Sequence, residues 1–266
     1  MSEVRFDSSK ASQQSLRRLS PYWGLHVARY QFARPHVGNS LVLDIACGTG
    51  YGLAILRTQA RSVVGVDVDV ETVRKARRSS EGLEFVAGDG CILPFVDESF
   101  EAITSFETLE HLENRTQFLS ELRRVLKPEG VCIISTPNAN YTRPKNGKPR
   151  NPHHVFEYTP PELTQELHKH FAEVEMLGQT LDRRFVMSPF LEDQERLPRT
   201  PVMMGRLALW RIIHKMPIGV RDSLCQGIWG HPMFPGDDDY HFDSSTVTDA
   251  PVLLALCRGR LDASKR

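Results

Sequence analysis

The chain has 266 residues, 40% of them hydrophobic and 25% charged, enough to bury one large core. Lys+Arg and Asp+Glu balance at 33 each, so no net field draws the chain to nucleic acid, and none is expected as a partner. The five cysteines are an odd number without C-x-x-C or disulfide spacing, and Cys132 and Cys257 lie in apolar runs as buried thiols. The N-terminus lacks the apolar stretch of a signal peptide, and no run reaches the ~18 apolar residues of a membrane span. A soluble, cytoplasmic protein is expected.

In chain order, residues 1–38 read as N-terminal cap helices, with His26, Arg29 and Tyr30 on the stretch "HVARYQFARPHV". Short apolar runs then alternate with helical patterns: strands over 41–46, 62–68, 83–88, 100–106 and 131–136, helices between them. Such alternation implies βαβ units and a mostly parallel sheet covered on both faces. The stretch 138–153, with Pro144, Gly147, Pro149 and Pro152, reads as a loop. "PPELTQELHKHF" starts a helix on its prolines, and "AEVEMLGQ" and "APVLLALCRG" supply strands that close the sheet. The whole is read as one domain: a core over 39–180, an insertion or acceptor lid over 181–249, and the last strand and tail over 250–266.

The loop "VLDIACGTGYG" joins the first strand to the first core helix. Gly48, Gly50 and Gly52 permit a tight turn and a close backbone approach to a ligand. The dinucleotide spacing G-x-G-x-x-G is absent, since Leu53 occupies the third glycine's place. Asp44 before the glycines would repel a pyrophosphate and suits an ammonium group. Asp67 ends the second strand, where a carboxylate binds ribose hydroxyls. Asp89, in "AGDG", ends the third, within reach of an adenine edge.

With "VVGVDVD", "SFETLEHL" and "LKPEGVCIISTPN" following in order, residues 25 to 180 resemble the class I S-adenosylmethionine-dependent methyltransferases. The resemblance implies an α/β, Rossmann-like fold: a seven-stranded, mostly parallel sheet with an antiparallel last strand. It implies S-adenosyl-L-methionine as cofactor, with Asp44, Gly48 and Gly50 at the methionine end, Asp67 at the ribose and Asp89 at the adenine. Arg29 would meet the methionine carboxylate, and Phe106 is taken as a further cofactor contact.

"SFETLEHLEN" places Glu107, Glu110 and His111 where a strand hands over to a helix. If the helix has begun by residue 107, positions i, i+3 and i+4 share one face beside the methyl group. Three roles stand open. The acids complement a helix dipole, or His111 is a general base, or all three ligate a divalent cation, Mg²⁺ or Mn²⁺ by their oxygen ligands. "HHVFEYTPPEL" bears on the choice. E-x-x-E-H followed by H-x-F-E-[W/Y]-T is similar to the metal-dependent small-RNA 2′-O-methyltransferases, which makes His154 the fourth ligand. Ubiquinone-pathway O-methyltransferases also resemble the chain at the first cluster.

The "STPN…NPHHVFEYTPPEL" region is similar to methyltransferases of bacterial glycan pathways, which implies a sugar hydroxyl of an oligosaccharide or glycosylated small molecule as acceptor. A quinone or phenol precursor is the runner-up, and a non-catalytic binding protein the reading from another class. In the C-terminal third, 202–216 reads as a core or lid helix, with contact to a membrane surface as its sharper alternative. Asp237 to Asp239 read as an acidic solvated loop, and Trp210, Trp229 and Tyr240 as core rather than sugar-stacking rings.

Overall fold

The computed structural model describes residues 20–142, 148–185, 194 and 197–260. Its sheet has eight strands: β1 (Leu41–Ile45), β2 (Ser62–Asp67), β3 (Glu84–Ala87), β4 (Phe100–Phe106), β5 (Leu126–Pro137), β6 (Phe171–Leu181), β7 (Tyr240–Asp243) and β8 (Val252–Arg260). They are ordered β3-β2-β1-β4-β5-β8-β6-β7. β3, β2, β1, β4 and β5 pair in parallel, while β8 runs antiparallel to both β5 and β6. The expected Rossmann-like sheet with an antiparallel last strand is therefore present. The count is eight rather than seven because the four-residue β7 adds an edge beside β6. A run that short, half of it exposed, carries no readable alternation.

The central strands are continuous apolar runs because helices cover both faces of a parallel sheet. α1 (Pro21–Ala33), α2 (Tyr51–Leu56), α3 (Val70–Ser79), α4 (Arg115–Val125), α5 (Ala139–Thr142) and α6 (Pro160–Leu167) come before or between them. α4 shows what holds such a helix. Asn114 caps it by accepting from the Gln117 N–H, and Phe118, Leu119, Leu122 and Val125 form its buried stripe. An isolated helix of eleven residues is marginal in water. Four buried side chains at roughly 1.5–3 kcal/mol each fix it to the sheet. α6 starts at a capping box between Thr159 and Glu162 with Pro160 at its first position. Cys132 and Cys257 face each other in the β5/β8 register as buried free thiols.

The described chain falls into two compact units, one holding residues 29–180 and 242–260, the other 20–28 and 181–241. The second contains α7 (Pro201–His214) and α8 (Ile218–Trp229) around a small core of Leu207, Trp210, Ile213, Cys225, Met233 and Phe234. Trp210 is thus a core residue, as its helical spacing suggests. The acidic stretch differs from expectation: Asp239 is buried, accepts from the Gly236 N–H at 2.7 Å and is ion-paired with Arg184. Of the N-terminal cap, α1 is described; residues 1–19 lie outside the described residues. Among the described residues no helix is long and apolar enough to cross a membrane.

Candidate active site

The ends of β1, β2 and β4 meet in one polar layer. Asp44 is fully buried; Thr104 Oγ1 donates to its Oδ1 at 2.6 Å and the Tyr30 hydroxyl to its Oδ2 at 3.1 Å. Burial pushes the Asp44 carboxyl up to about 7; the two hydrogen bonds lower it, and the Asp67 charge raises it. Burial likewise holds the Tyr30 phenol well above its ordinary range.

The glycines divide by what surrounds them. Gly48 (φ +54°) and Gly50 (φ +82°) take the left-handed conformation that glycine adopts without strain. A Cβ on Gly50 would strike the Phe85 ring at 2.5 Å, and one on Gly52 the Tyr30 ring at 2.1 Å. A Cβ on Gly48 would meet nothing within 4 Å. Gly48 is therefore the open side of the loop, a space that suits a ligand's approach to backbone. Asp67 holds the loop, accepting from the Gly48 N–H and the Asp69 N–H, both at 2.9 Å. Asp89 is exposed and accepts from the Cys91 N–H at 2.8 Å. Phe106 packs edge-on against Tyr30, ring centroids 4.9 Å apart.

Arg29 is fully buried, with Nε donating to Gln179 Oε1 at 2.8 Å and Nη1 3.5 Å from Glu107 Oε1. Ser135 donates to the same Glu107 oxygen at 2.9 Å. The condition for one shared helical face, a helix begun by residue 107, is not met. Glu107 sits in the left-handed region (φ +52°), a 3-10 turn covers Leu109–His111, and α4 begins only at Arg115. A turn rather than a helix face therefore positions the cluster.

That turn and the segment 151–157 bring three groups together. One ligand atom each from Glu110, His111 and His154 lies within 4.8 Å of the others. The Glu110 carbonyl ties the two segments by accepting from the N–H groups of Val155 (2.7 Å) and Phe156 (3.2 Å). His111 Nδ1 lies 3.0 Å from the His153 carbonyl, which can only accept, so Nδ1 carries the proton. His154 Nδ1 lies 2.7 Å from Glu157 Oε1 and is fixed likewise, leaving Nε2 as an acceptor, 2.8 Å from the Asn151 amide. The His111 ring thus presents its Nε2 lone pair 3.9 Å from Glu110 Oε1, whereas the Nε2 of His154 already accepts from the Asn151 amide. Glu110 adds a carboxylate whose Oε2 accepts from Thr136 at 2.9 Å and whose buried Oε1 has no hydrogen bond. Burial, then the Glu107 charge, raises the Glu110 carboxyl well above its usual range. Two facing acceptors, Glu110 Oε1 and His111 Nε2, need a proton or a cation between them, and a cation would engage His154 by displacing the Asn151 amide. Imidazoles anchored at Nδ1 by a carbonyl and a carboxylate are arranged as metal ligands usually are.

Of the four expected ligands, the structure brings three together and directs Glu107 toward Arg29 and Ser135. Sequence reasoning missed Glu157, which orients His154 and also accepts from the Thr142 hydroxyl. The signal was the i, i+3 spacing within "HHVFEYT".

Residues 43–134 match the model of a methyltransferase domain. The chain is 37% identical over 155 residues to a Mycolicibacterium smegmatis protein named "Probable S-adenosylmethionine-dependent methyltransferase", covering 58% of this chain and 60% of that one. It is 39% identical over 94 residues to the demethylmenaquinone methyltransferase of Beutenbergia cavernae (35% and 39% covered). A fatty-acid O-methyltransferase of M. smegmatis is 35% identical over 118 residues (42% and 43%). The chain thus matches 60% or less of the length of these relatives. Among solved structures, a Thermotoga maritima S-adenosylmethionine-dependent methyltransferase superposes with a TM-score of 0.59 at 16% identity, over 94% of this chain and 97% of that one. Residues 43–134 are thus similar to a methyltransferase domain, and the sheet order and glycine loop agree with that likeness.

Proposed function

We propose that the protein methylates an oxygen of a small-molecule acceptor, using S-adenosyl-L-methionine and a divalent cation, Mg²⁺ or Mn²⁺. When bound, the first supplies an electrophilic methyl group, and the second lowers the pKa of a bound hydroxyl. Asp44, Gly48 and Gly50 hold the methionine end, with Arg29 and Phe106 beside it. Asp67 holds the ribose and Asp89 the adenine. Glu110, His111 and His154 ligate the cation; Glu107 links that cluster to Arg29.

The observation that carries the metal reading is the buried, unbonded Glu110 Oε1 beside the His111 Nε2 lone pair, with the His154 ring in the same cluster. His111 as a metal-free base is the second reading, favoured by the 3.9 Å between its Nε2 and that same oxygen. Glu110 would then hold a proton, consistent with its raised pKa.

A site of this kind selects acceptors that offer two neighbouring oxygens, because chelation orients one of them for attack. A sugar diol of an oligosaccharide or glycosylated small molecule is the leading acceptor and a quinol or catechol the second. The test is transfer of label from methyl-labelled cofactor to a panel of glycosides, quinols and fatty acids. Labelling of a mono-ol as readily as of its vicinal diol would reject the chelation argument.

A further inference from the structure

We propose that the outward faces of α7 and α8 dock the second unit on an anionic phospholipid surface. The whole chain is neutral, but its cations are unevenly placed. Arg199, Arg206, Arg211 and Lys215 are exposed and occur between residues 197 and 220 without one Asp or Glu, whereas Arg221 is buried and paired with Asp222. The two helices already bury an inner face, through Leu207, Trp210 and Ile213 of α7 and Cys225 of α8. Their other side is apolar as well. Val202 and Ile212 on α7 are 68% and 59% exposed, and Val220 and Ile228 on α8 are 51% and 49% exposed. Val220, Leu224 and Ile228 follow one another at four-residue steps, which sets them in a single stripe.

On α7 the helical spacing puts Pro201, Ala208 and Ile212 opposite the buried side. Arg211 and Lys215 border one flank and Arg206 lies beyond the other. Long cationic side chains beside an apolar strip can rise to phosphate level while the strip enters the headgroup boundary. With fourteen residues, α7 is too short to span a bilayer, so it would lie in the surface plane. Charge selects this occupant over a second copy of the chain, since two such faces would meet cation to cation.

The test uses the full chain and sedimentation with vesicles, either of phosphatidylcholine alone or with an equal share of phosphatidylglycerol. Binding is expected only to the anionic vesicles, weakening as salt screens the surface. The double charge reversal Arg211→Glu with Lys215→Glu should lower partitioning by at least roughly twentyfold, taking about fivefold per cation removed. Ile212→Glu should abolish it, with circular-dichroism melting and cofactor binding unchanged. Val202→Gln with Ile228→Gln is the second variant should Ile212→Glu fail to fold. Absence of sedimentation, or equal and salt-insensitive binding to neutral vesicles, overturns the proposal. So does a dimer in solution that Ile212→Glu dissolves, which would assign the face to a second copy.

Discussion

The Tyr30 hydroxyl donates to Asp44 Oδ2 at 3.1 Å, inside a layer where the carboxyl has no access to water. Because burial holds the Asp44 carboxyl at about 7, far above the ordinary carboxylate range, the folded state keeps a proton that the unfolded chain releases. Stability from this group is full below about pH 4 and falls by about 1.4 kcal/mol per unit up to pH 7. It then levels off, a loss on the order of 4 kcal/mol. Asp44→Asn cannot ionise and should remove that slope. Urea unfolding of both proteins at pH 5 and pH 8 is expected to show the variant gaining relative stability between the two, by about 3 kcal/mol. Equal slopes would mean that Asp44 ionises freely.

The same carboxyl is proposed to meet the cofactor's ammonium group. Cofactor affinity should therefore drop as pH falls below 7, about tenfold per unit, as the carboxylate takes up a proton. Asp44→Asn should bind weakly at every pH. Calorimetric titration from pH 5.5 to 7.5 reads this directly, and a pH-independent affinity in the wild type would contradict it.

Two glycines separate binding from stability. Gly52→Ala drives a methyl into the Tyr30 ring and should destabilise the fold by about 1–3 kcal/mol, as overpacking does. Gly48→Ala meets no protein atom, so its cost is left-handed strain of about 1–2 kcal/mol, while the methyl occupies the open side of the loop. Cofactor affinity should fall further in Gly48→Ala than in Gly52→Ala, once each is measured under conditions where it is folded. The reverse order would place the cofactor elsewhere.

Asp67, proposed to meet the ribose, also holds the glycine loop, which its strand-end position alone did not announce. Its two oxygens accept from the Gly48 and Asp69 backbones, so Asp67→Ala frees the glycine loop as well as a ribose contact. Affinity is expected to fall by about 1–3 kcal/mol, with some loss of melting temperature. Asp67→Asn keeps one acceptor oxygen but turns an NH2 donor toward the other backbone N–H, so it should retain at most one of the two hydrogen bonds.

The strands were legible because a fully buried strand must be a continuous apolar run. Phe100–Phe106 coincides with its run, and the runs starting at Leu41 and Ser62 end one residue beyond their strands. The approach to the cluster was not. A helical spacing of three and four residues at Glu107, Glu110 and His111 is met instead by a left-handed residue and a 3-10 turn. Side-chain spacing does not record such a turn, so the shared helical face, posed only as a condition, is not what forms, while α4 itself lies where its apolar spacing put it. The second unit was partly hidden for another reason: it joins residues 20–28 to 181–241, and sequence separation of that size leaves no local pattern. Glu157 was passed over because its value depends on where the His154 ring points, which only the folded loop decides.

The cluster itself gives the last prediction. If Glu110, His111 and His154 hold a cation, chelator should abolish turnover and Mg²⁺ or Mn²⁺ should restore it. Replacing any of the three should lower turnover by at least ~10²-fold, the scale of one lost transition-state interaction, with cofactor affinity nearly unchanged. Glu157→Gln keeps the ligands but weakens the acceptor that fixes His154, so Mn²⁺ affinity by calorimetry should fall about 10–100-fold. Glu107→Gln leaves the three ligands in place and should spare Mn²⁺ affinity while loosening Arg29, 3.5 Å away. Full turnover in excess chelator, with His111→Ala alone inactive, would reject the cation. The Nε2 of His111 beside a protonated Glu110 would then be the base, because that proton alone reconciles the two acceptors that face each other.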